Sequence, residues 1–241
     1  MSPTPDPIVR VRSLTKTYTR GGEELRVLDG LDLEMEAGGF FALMGPSGSG
    51  KTTLLNLVGG LDHPDSGEIV VAGDDLGEMS GAELAAWRSR TIGFVFQGFN
   101  LIPVLTALEN VELPLLLTNL TRSERRRHAE HALELVGLAD RLHHRPAQLS
   151  GGQEQRAAIA RALVSDPKLI LADEPTGDLD RVSAGQVLDL LGKLNSDLGK
   201  TILMVTHDPA AAERARTVVH LDKGQLGSIE RKEAGQPAAG A

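Results

Sequence analysis

This sequence predicts an α/β protein built around a buried parallel sheet. Three observations point there. Short apolar runs rich in β-branched and bulky residues recur along the chain, helical stretches with cap residues separate several of them, and an apolar fraction of 41% over 241 residues is enough to bury a core. The runs lie at residues 8–11, 40–44, 69–71, 92–96, 169–172, 202–206 and 218–221.

Taken in order, the early part departs from simple alternation. Residues 8–18, 31–36 and 68–72 read as short antiparallel strands grouped around the Gly21-Gly22 loop. Residues 40–44 are apolar throughout, as a strand covered on both faces must be, and a helix follows over 53–58. Ser80 with Glu83 forms a capping box, in which the hydroxyl accepts an early helix N–H and the carboxylate reaches back to the cap's own N–H. From about 98 to 165 four helical pieces and no convincing strand are expected, an α-helical insertion in which Thr121 with Glu124 and Ser150 with Gln153 open two helices. Gly199 stops a later helix, and Asp208 followed by Pro209 starts another. The folded unit is expected over 8–228, with 1–7 and 231–241, rich in Pro, Ala, Gly and charge, as flexible tails.

Composition narrows the chemistry. A formal net charge of −8 argues against an extended nucleic-acid surface, so no nucleic-acid partner is expected. The basic cluster Arg122, Arg125, Arg126 and Arg127 falls on a helical pattern and is expected on a solvated face. With no cysteine, disulfides and thiolate chemistry are excluded. His128, His131, His143 and His144 lack acidic or cysteine co-ligands and read as surface residues. No apolar run approaches the roughly 18 residues of a membrane span, and the start, MSPTPDP, has no signal-peptide pattern, so a soluble cytoplasmic chain is expected.

Three motifs carry function. The strand at 40–44 runs straight into Gly45-Pro46-Ser47-Gly48-Ser49-Gly50-Lys51-Thr52-Thr53 and a helix, the strand, loop and helix context that a P-loop requires. Its glycines let backbone N–H groups wrap a β-phosphate, Lys51 neutralises β- and γ-oxygens, and the Thr52 hydroxyl is placed to ligate magnesium. A plain glycine-rich turn would need neither the Lys-Thr pair nor those flanks. The apolar run at 169–172 ends on Asp173 and Glu174, two carboxylates that are costly there unless they meet a cation or a reacting water. Asp173 suits magnesium and Glu174 suits a general base. Helix capping explains them poorly, because residues 175–180 delay the next helix. Leu149-Ser150-Gly151-Gly152-Gln153 then presents a second helix N-terminus with free N–H groups, a second anion site.

Together these residues resemble the ATP-binding cassette (ABC) ATPases over nearly all of 8–228. Tyr18 stands ahead of the P-loop, Gln97 follows the strand at 92–96, the signature stretch 149–153 precedes Asp173-Glu174, and Asp178-Leu179-Asp180 and His207 complete the set. The resemblance implies a P-loop NTPase of the ABC ATPase fold, with a RecA-like parallel core, an antiparallel β subdomain and a helical insertion. It implies ATP and Mg2+ as cofactors, with Thr52, Gln97 and Asp173 near the metal, Tyr18 stacked on adenine, Glu174 polarising the attacking water and His207 holding the γ-phosphate. It further implies a head-to-tail dimer in which each ATP is held by one chain's P-loop and by Ser150, Gly151, Gly152 and Gln153 of the other, with Asp178 and Asp180 in the dimer loop. For Tyr18, simple packing of a strand aromatic is the alternative.

Residues 93–101, 105–114 and 172–180 look like the lipoprotein-release, macrolide-efflux and cell-division branch (LolD, MacB and FtsE type), with Asp178 where Asn is usual and Glu154 where Gln is usual. Both departures add negative charge near the dimer seam. The resemblance implies a motor for export or extraction, peripheral on the inner face of the membrane, working with a separate permease and with room for periplasmic or outer-membrane components. The permease is expected to dock near 97–114 through exposed Phe99, Leu101 and Leu105. The alternative within the branch is a regulatory ATPase that signals across the membrane. DNA-repair relatives split the cassette with a long coiled coil, and residues 53–172 hold no sustained heptads. Translation-type relatives usually carry two cassettes, and one is present here.

Overall fold

The computed structural model describes residues 6–232. An antiparallel sheet opens the chain. Strands β1 (Val9–Arg20) and β2 (Glu23–Met35) form a hairpin across Gly21 and Gly22, both at positive φ, and β4 (Ser66–Val71) and β5 (Asp74–Asp75) complete the order β2-β1-β4-β5. The second sheet contains β3 (Phe40–Met44), β6 (Ile92–Phe96), β7 (Leu169–Asp173), β8 (Thr201–Val205), β9 (Thr217–Asp222) and β10 (Gln225–Arg231), in the order β10-β9-β3-β8-β7-β6. Its pairings are parallel except for the β9–β10 hairpin.

Alternation along the parallel strands divides the core between two faces. Ala42, Val95, Ile170, Ala172, Ile202 and Met204 pack with α3 (Ala107–Glu112), α4 (Arg122–Leu135), α5 (Gly151–Leu163) and α6 (Arg181–Ser196). On the other face, Phe41, Leu43, Leu169, Leu171, Leu203 and Val205 meet α1 (Lys51–Val58), α2 (Gly81–Thr91) and the antiparallel sheet. A short α7 (Pro209–Ala212) follows β8, capped by Asp208. Register places the site: Phe96 pairs with Asp173 and Asp173 with Val205, so Gln97, Glu174 and the approach to His207 leave the sheet side by side at its carboxyl end.

All three expected capping boxes form, and Thr106 with Glu109 adds a fourth at the head of α3. Between β6 and β7 there are three α-helices with 3-10 turns at 113–117, 139–141 and 146–148, where four helical pieces were expected. Strand β2 starts at Glu23, well before the expected residue 31. Helix α6 ends at Ser196, and Gly199, at φ 63°, shapes the turn beyond it. Arg125 corrects the solvated-face expectation. It is half-buried and joins α4 to α3 by donating to Glu112 Oε1 at 3.3 Å and to the Leu120 carbonyl at 2.8 Å. The tail expectation falls largely outside the described residues; within them, Arg231 pairs with Thr217 in β10. No helix among the described residues is long and apolar enough to cross a membrane.

Candidate functional site

The loop between β3 and α1 has a backbone that only glycine fits. A Cβ on Gly45 would lie 2.1 Å from the Leu221 carbonyl oxygen, and one on Gly50, at φ 100°, would lie 2.8 Å from the Val27 carbonyl oxygen. Close packing on β2 and β9 therefore fixes the loop. Gly50 is the N-cap of α1 and no side chain caps it, which leaves the first N–H groups facing the loop mouth. Lys51 donates from Nζ to the carbonyls of Gly45 at 2.8 Å and Pro46 at 2.9 Å, so its charge already sits over the cradle.

A cleft of about 460 Å³ opens there, lined among others by Tyr18, Ser47, Gly48, Gly50, Lys51, Thr52, Thr53, Glu174 and His207. Grooves of about 670 and 610 Å³ elsewhere contain none of the predicted site residues, and chemistry rather than size marks the smaller cleft as the site. Tyr18 is 39% exposed. Its hydroxyl donates to Asp62 Oδ2 at 2.7 Å, and the Lys16 ammonium, 5.1 Å from the ring centroid, bonds Asp62 Oδ1 at 2.9 Å. The ring is thus held by its edge at the cleft.

The carboxylates differ in environment. Burial, then the neighbouring Glu174 charge, pushes Asp173 above the usual carboxylate range, against a hydrogen bond from Thr52 and the Lys51 charge. Glu174 takes the left-handed conformation, φ 47°, while its N–H bonds the Val205 carbonyl at 2.9 Å. A non-glycine residue held there stores strain, a feature concentrated at functional sites. Its carboxylate lies 2.9 Å from His207 Nδ1, and that hydrogen bond and charge raise the imidazole above its ordinary value.

Gln97 Nε2 donates to Asp178 Oδ1 at 2.7 Å, and Gly177 packs so closely that a Cβ there would come within 2.9 Å of the Gln97 amide. Asp180 is the N-cap of α6, accepting from the N–H groups of Val182 at 2.9 Å and Ser183 at 3.0 Å. Ser150, Gly151, Gly152 and Gln153 do not line the cleft; they form the start of α5, where the box is closed by a 2.9 Å bond from Ser150 N–H to Gln153 Oε1.

The ABC transporter family profile matches residues 28–177. This chain belongs to the ABC transporter family. It is 48% identical over 219 residues to the lipoprotein-releasing system ATP-binding protein LolD of Chromohalobacter salexigens, covering 91% of this chain and 92% of that one. It is also 47% identical over 239 residues to the macrolide export ATP-binding/permease protein MacB 1/2 of Paracoccus denitrificans, covering 99% of this chain but only 35% of that longer protein. Among solved structures, the dimeric post-hydrolysis state of the ATP-binding cassette MJ0796, bound to ADP and Pi, superposes with a TM-score of 0.84 at 44% identity, covering 92% of this chain and 98% of that one. As an ABC ATPase this chain binds and hydrolyses ATP, with the α/β cassette fold that its motifs predict.

The structure also corrects the expected exposure of three apolar residues. Phe99, Leu101 and Leu105 are half-buried, and Leu101 packs on the core. Nearby exposed apolar side chains are instead Ile102, Val104 at 71%, Leu116 and Leu117 at 79%. Leu117 also lines a groove of about 510 Å³, together with Phe96, Asn100, Pro114 and Arg161 among others. Sequence reading missed Asp62 and Lys16 behind Tyr18, and Gln155 and Arg161 on α5; Gln155 signals itself as a polar side chain on a face otherwise made of Ala158, Ile159 and Ala162.

Proposed function

We propose that this chain is the motor of a membrane export or extraction complex, working as a head-to-tail pair in which each ATP lies between one chain's P-loop and the other chain's signature helix. One observation carries the reading. A single chain's cleft gathers Tyr18, the P-loop, Glu174 and His207, while the free helix N-terminus at Ser150 to Gln153 lies outside it. A second chain can supply that N-terminus to the γ-phosphate.

In this arrangement Tyr18 stacks on the base and the P-loop N–H groups with Lys51 hold the phosphates. Glu174 Oε accepts a proton from the attacking water, and His207 orients that carboxylate through Nδ1 while Nε2 remains for the γ-phosphate. Magnesium fits the residues present. Asp173 is pushed up by burial and by Glu174 and is offset in part by Thr52 and Lys51, a balance a divalent cation would relieve, and the Gln97 amide oxygen is left over from the bond to Asp178. Thr52, Asp173 and Gln97 would hold the ion, which when bound neutralises phosphate charge. In the complex this chain sits peripherally on the cytoplasmic face, with a permease on another chain docked over the groove that Leu117 lines.

Glu174→Gln is the test. It removes the accepting carboxylate and spares Lys51, so ATP binding should persist, turnover should fall by two orders of magnitude or more, roughly the scale of general-base catalysis, and an ATP-bound dimer should accumulate in size-exclusion chromatography. A monomer that hydrolyses ATP at the parental rate would overturn the assignment.

A further inference from the structure

Helix α5 does more than present its N-terminus. One turn beyond Gly151 lies Gln155, fully buried. Its Nε2 donates to the carbonyl of Phe96 at 3.2 Å and to that of Pro175 at 2.5 Å. Those carbonyls belong to the residue before Gln97 and the residue after Glu174. Carbonyls only accept, so the amide can face them only with its NH2 group, and Oε1 is left buried without a partner among the described residues. An orphaned buried acceptor is rare in native proteins and calls for an explanation. Packing alone does not provide one, since Leu or Met would fill a similar volume without the orphaned Oε1; what the amide adds is a donor to the Phe96 and Pro175 carbonyls.

The surroundings show what the amide joins. Helix α5 lies so close to β6 that a Cβ on Gly93 would sit 2.3 Å from the Ala162 carbonyl oxygen. Further along α5, Arg161 donates to the carbonyls of Asn100 and of Phe99, the latter at 2.9 Å, in a stretch where both residues have positive φ. The helix and the Gln97 loop therefore form one body. The Glu174 loop belongs to β7 and β8 through its N–H bond to Val205. Gln155 to Pro175 is a buried side-chain tie between the two, added to the backbone pairing of β6 with β7.

We propose that Gln155 is a positioning residue that fastens the signature helix to the loops carrying Gln97 and Glu174, so that engagement of α5 with the partner chain's ATP sets the geometry of the chain's own hydrolytic site. The inference rests on the reading that the signature helix acts in trans. Its consequence is a link between the two composite sites running through the interior of each chain, beside the surface contact of Gln97 with Asp178.

The test uses the full chain in the Glu174→Gln background, titrated with ATP and followed by size-exclusion chromatography. Adding Gln155→Leu should raise the ATP concentration for half-dimerisation roughly tenfold or more, while monomer affinity, measured by equilibrium dialysis at low protein concentration, stays within about twofold. With Glu174 intact, Gln155→Leu should lower kcat by a similar factor. A purely structural residue would move the thermal midpoint but not this split. Gln155→Met, unbranched and of similar length, serves if Gln155→Leu does not fold; failure of both to fold, judged by circular dichroism, makes Gln155 a packing residue and overturns the proposal. Unchanged dimerisation, or parental turnover in either folded variant, also overturns it and leaves the trans reading standing. A Glu174→Gln chain that stays monomeric with ATP instead removes the trans reading, and this proposal with it.

Discussion

At the residue scale, the His207–Glu174 pair makes the site sensitive to pH. The imidazole is raised by the Glu174 hydrogen bond and charge, and a group raised on folding contributes stability that is fully present below its ordinary pKa, about 6.5, and lost as pH rises through the raised value. With 75% of the His207 side chain exposed, the effect on global stability is small, so the ring itself is the better probe. An NMR titration should place His207 above the ordinary imidazole value, and Glu174→Gln should bring it back down; an unmoved titration would break the pair. Tyr18 offers a second residue-level contrast. Its stacking face does not depend on the 2.7 Å bond to Asp62, so Tyr18→Phe should leave nucleotide affinity within a fewfold. Tyr18→Ala removes the aromatic surface, and stacking on a base is worth about 1–3 kcal/mol, so KM should rise roughly tenfold with kcat little changed. Equal kinetics in the two variants would take Tyr18 out of base binding.

At the element scale, α5 shows how one cap can serve two purposes. The Ser150 Oγ accepts the Gln153 N–H at 3.3 Å, which uses the hydroxyl as an acceptor and leaves its O–H free to donate to a phosphate. Ser150→Ala should therefore cost about 1 kcal/mol of stability without nucleotide, a midpoint shift of roughly 2–4 °C, and Ser150→Thr should restore it. Thermal unfolding of the ATP-free chain reads this directly, and an unshifted midpoint in Ser150→Ala would mean the cap carries no load. Such caps were legible in the sequence because the reciprocal bonds are local, and β3, β6, β7 and β8 were legible because a strand buried on both faces must be apolar throughout. The start of β2 was not, since Glu23, Glu24, Leu25 and Arg26 are exposed on an edge strand and carry no burial pattern. Strand β10 is almost wholly exposed for the same reason. The P-loop and the Asp173-Glu174 pair could be read as chemistry, but the positive φ of Glu174 and the buried amide of Gln155 arise from tertiary contacts that no local pattern encodes. The exposure of Phe99 and Leu101 was misjudged because the turn after Gln97 folds back on α5 instead of projecting outward.

At the scale of the whole molecule, the decisive question is which chain's signature helix serves which ATP. A Cβ on Gly151 would meet Leu179 Cδ2 at 3.4 Å and Phe99 Cζ at 3.6 Å, ordinary contacts, so a small side chain fits within the protomer. Gly151→Asp goes further: a carboxylate in the first turn of a helix is favoured by the dipole, yet it would stand where a phosphate of the partner's ATP must approach. This chain should fold and bind ATP at its own P-loop, but neither dimerise nor hydrolyse. Lys51→Ala should fail for the opposite reason, losing the main cation over its own cradle. Mixing the two separates cis from trans, because a heterodimer combines an intact P-loop from the Gly151→Asp chain with an intact signature helix from the Lys51→Ala chain in one composite site. ATPase activity should appear in the mixture that neither parent shows. Strict cooperativity between the sites could silence one repaired site, so a covalent readout is needed as well. The chain has no cysteine of its own, and a Ser47→Cys chain mixed with a Ser150→Cys chain offers one pair of thiols. The disulfide should form between chains only when ATP closes the dimer, and a bond that forms without ATP, or none in its presence, would place the signature helix away from the partner's P-loop.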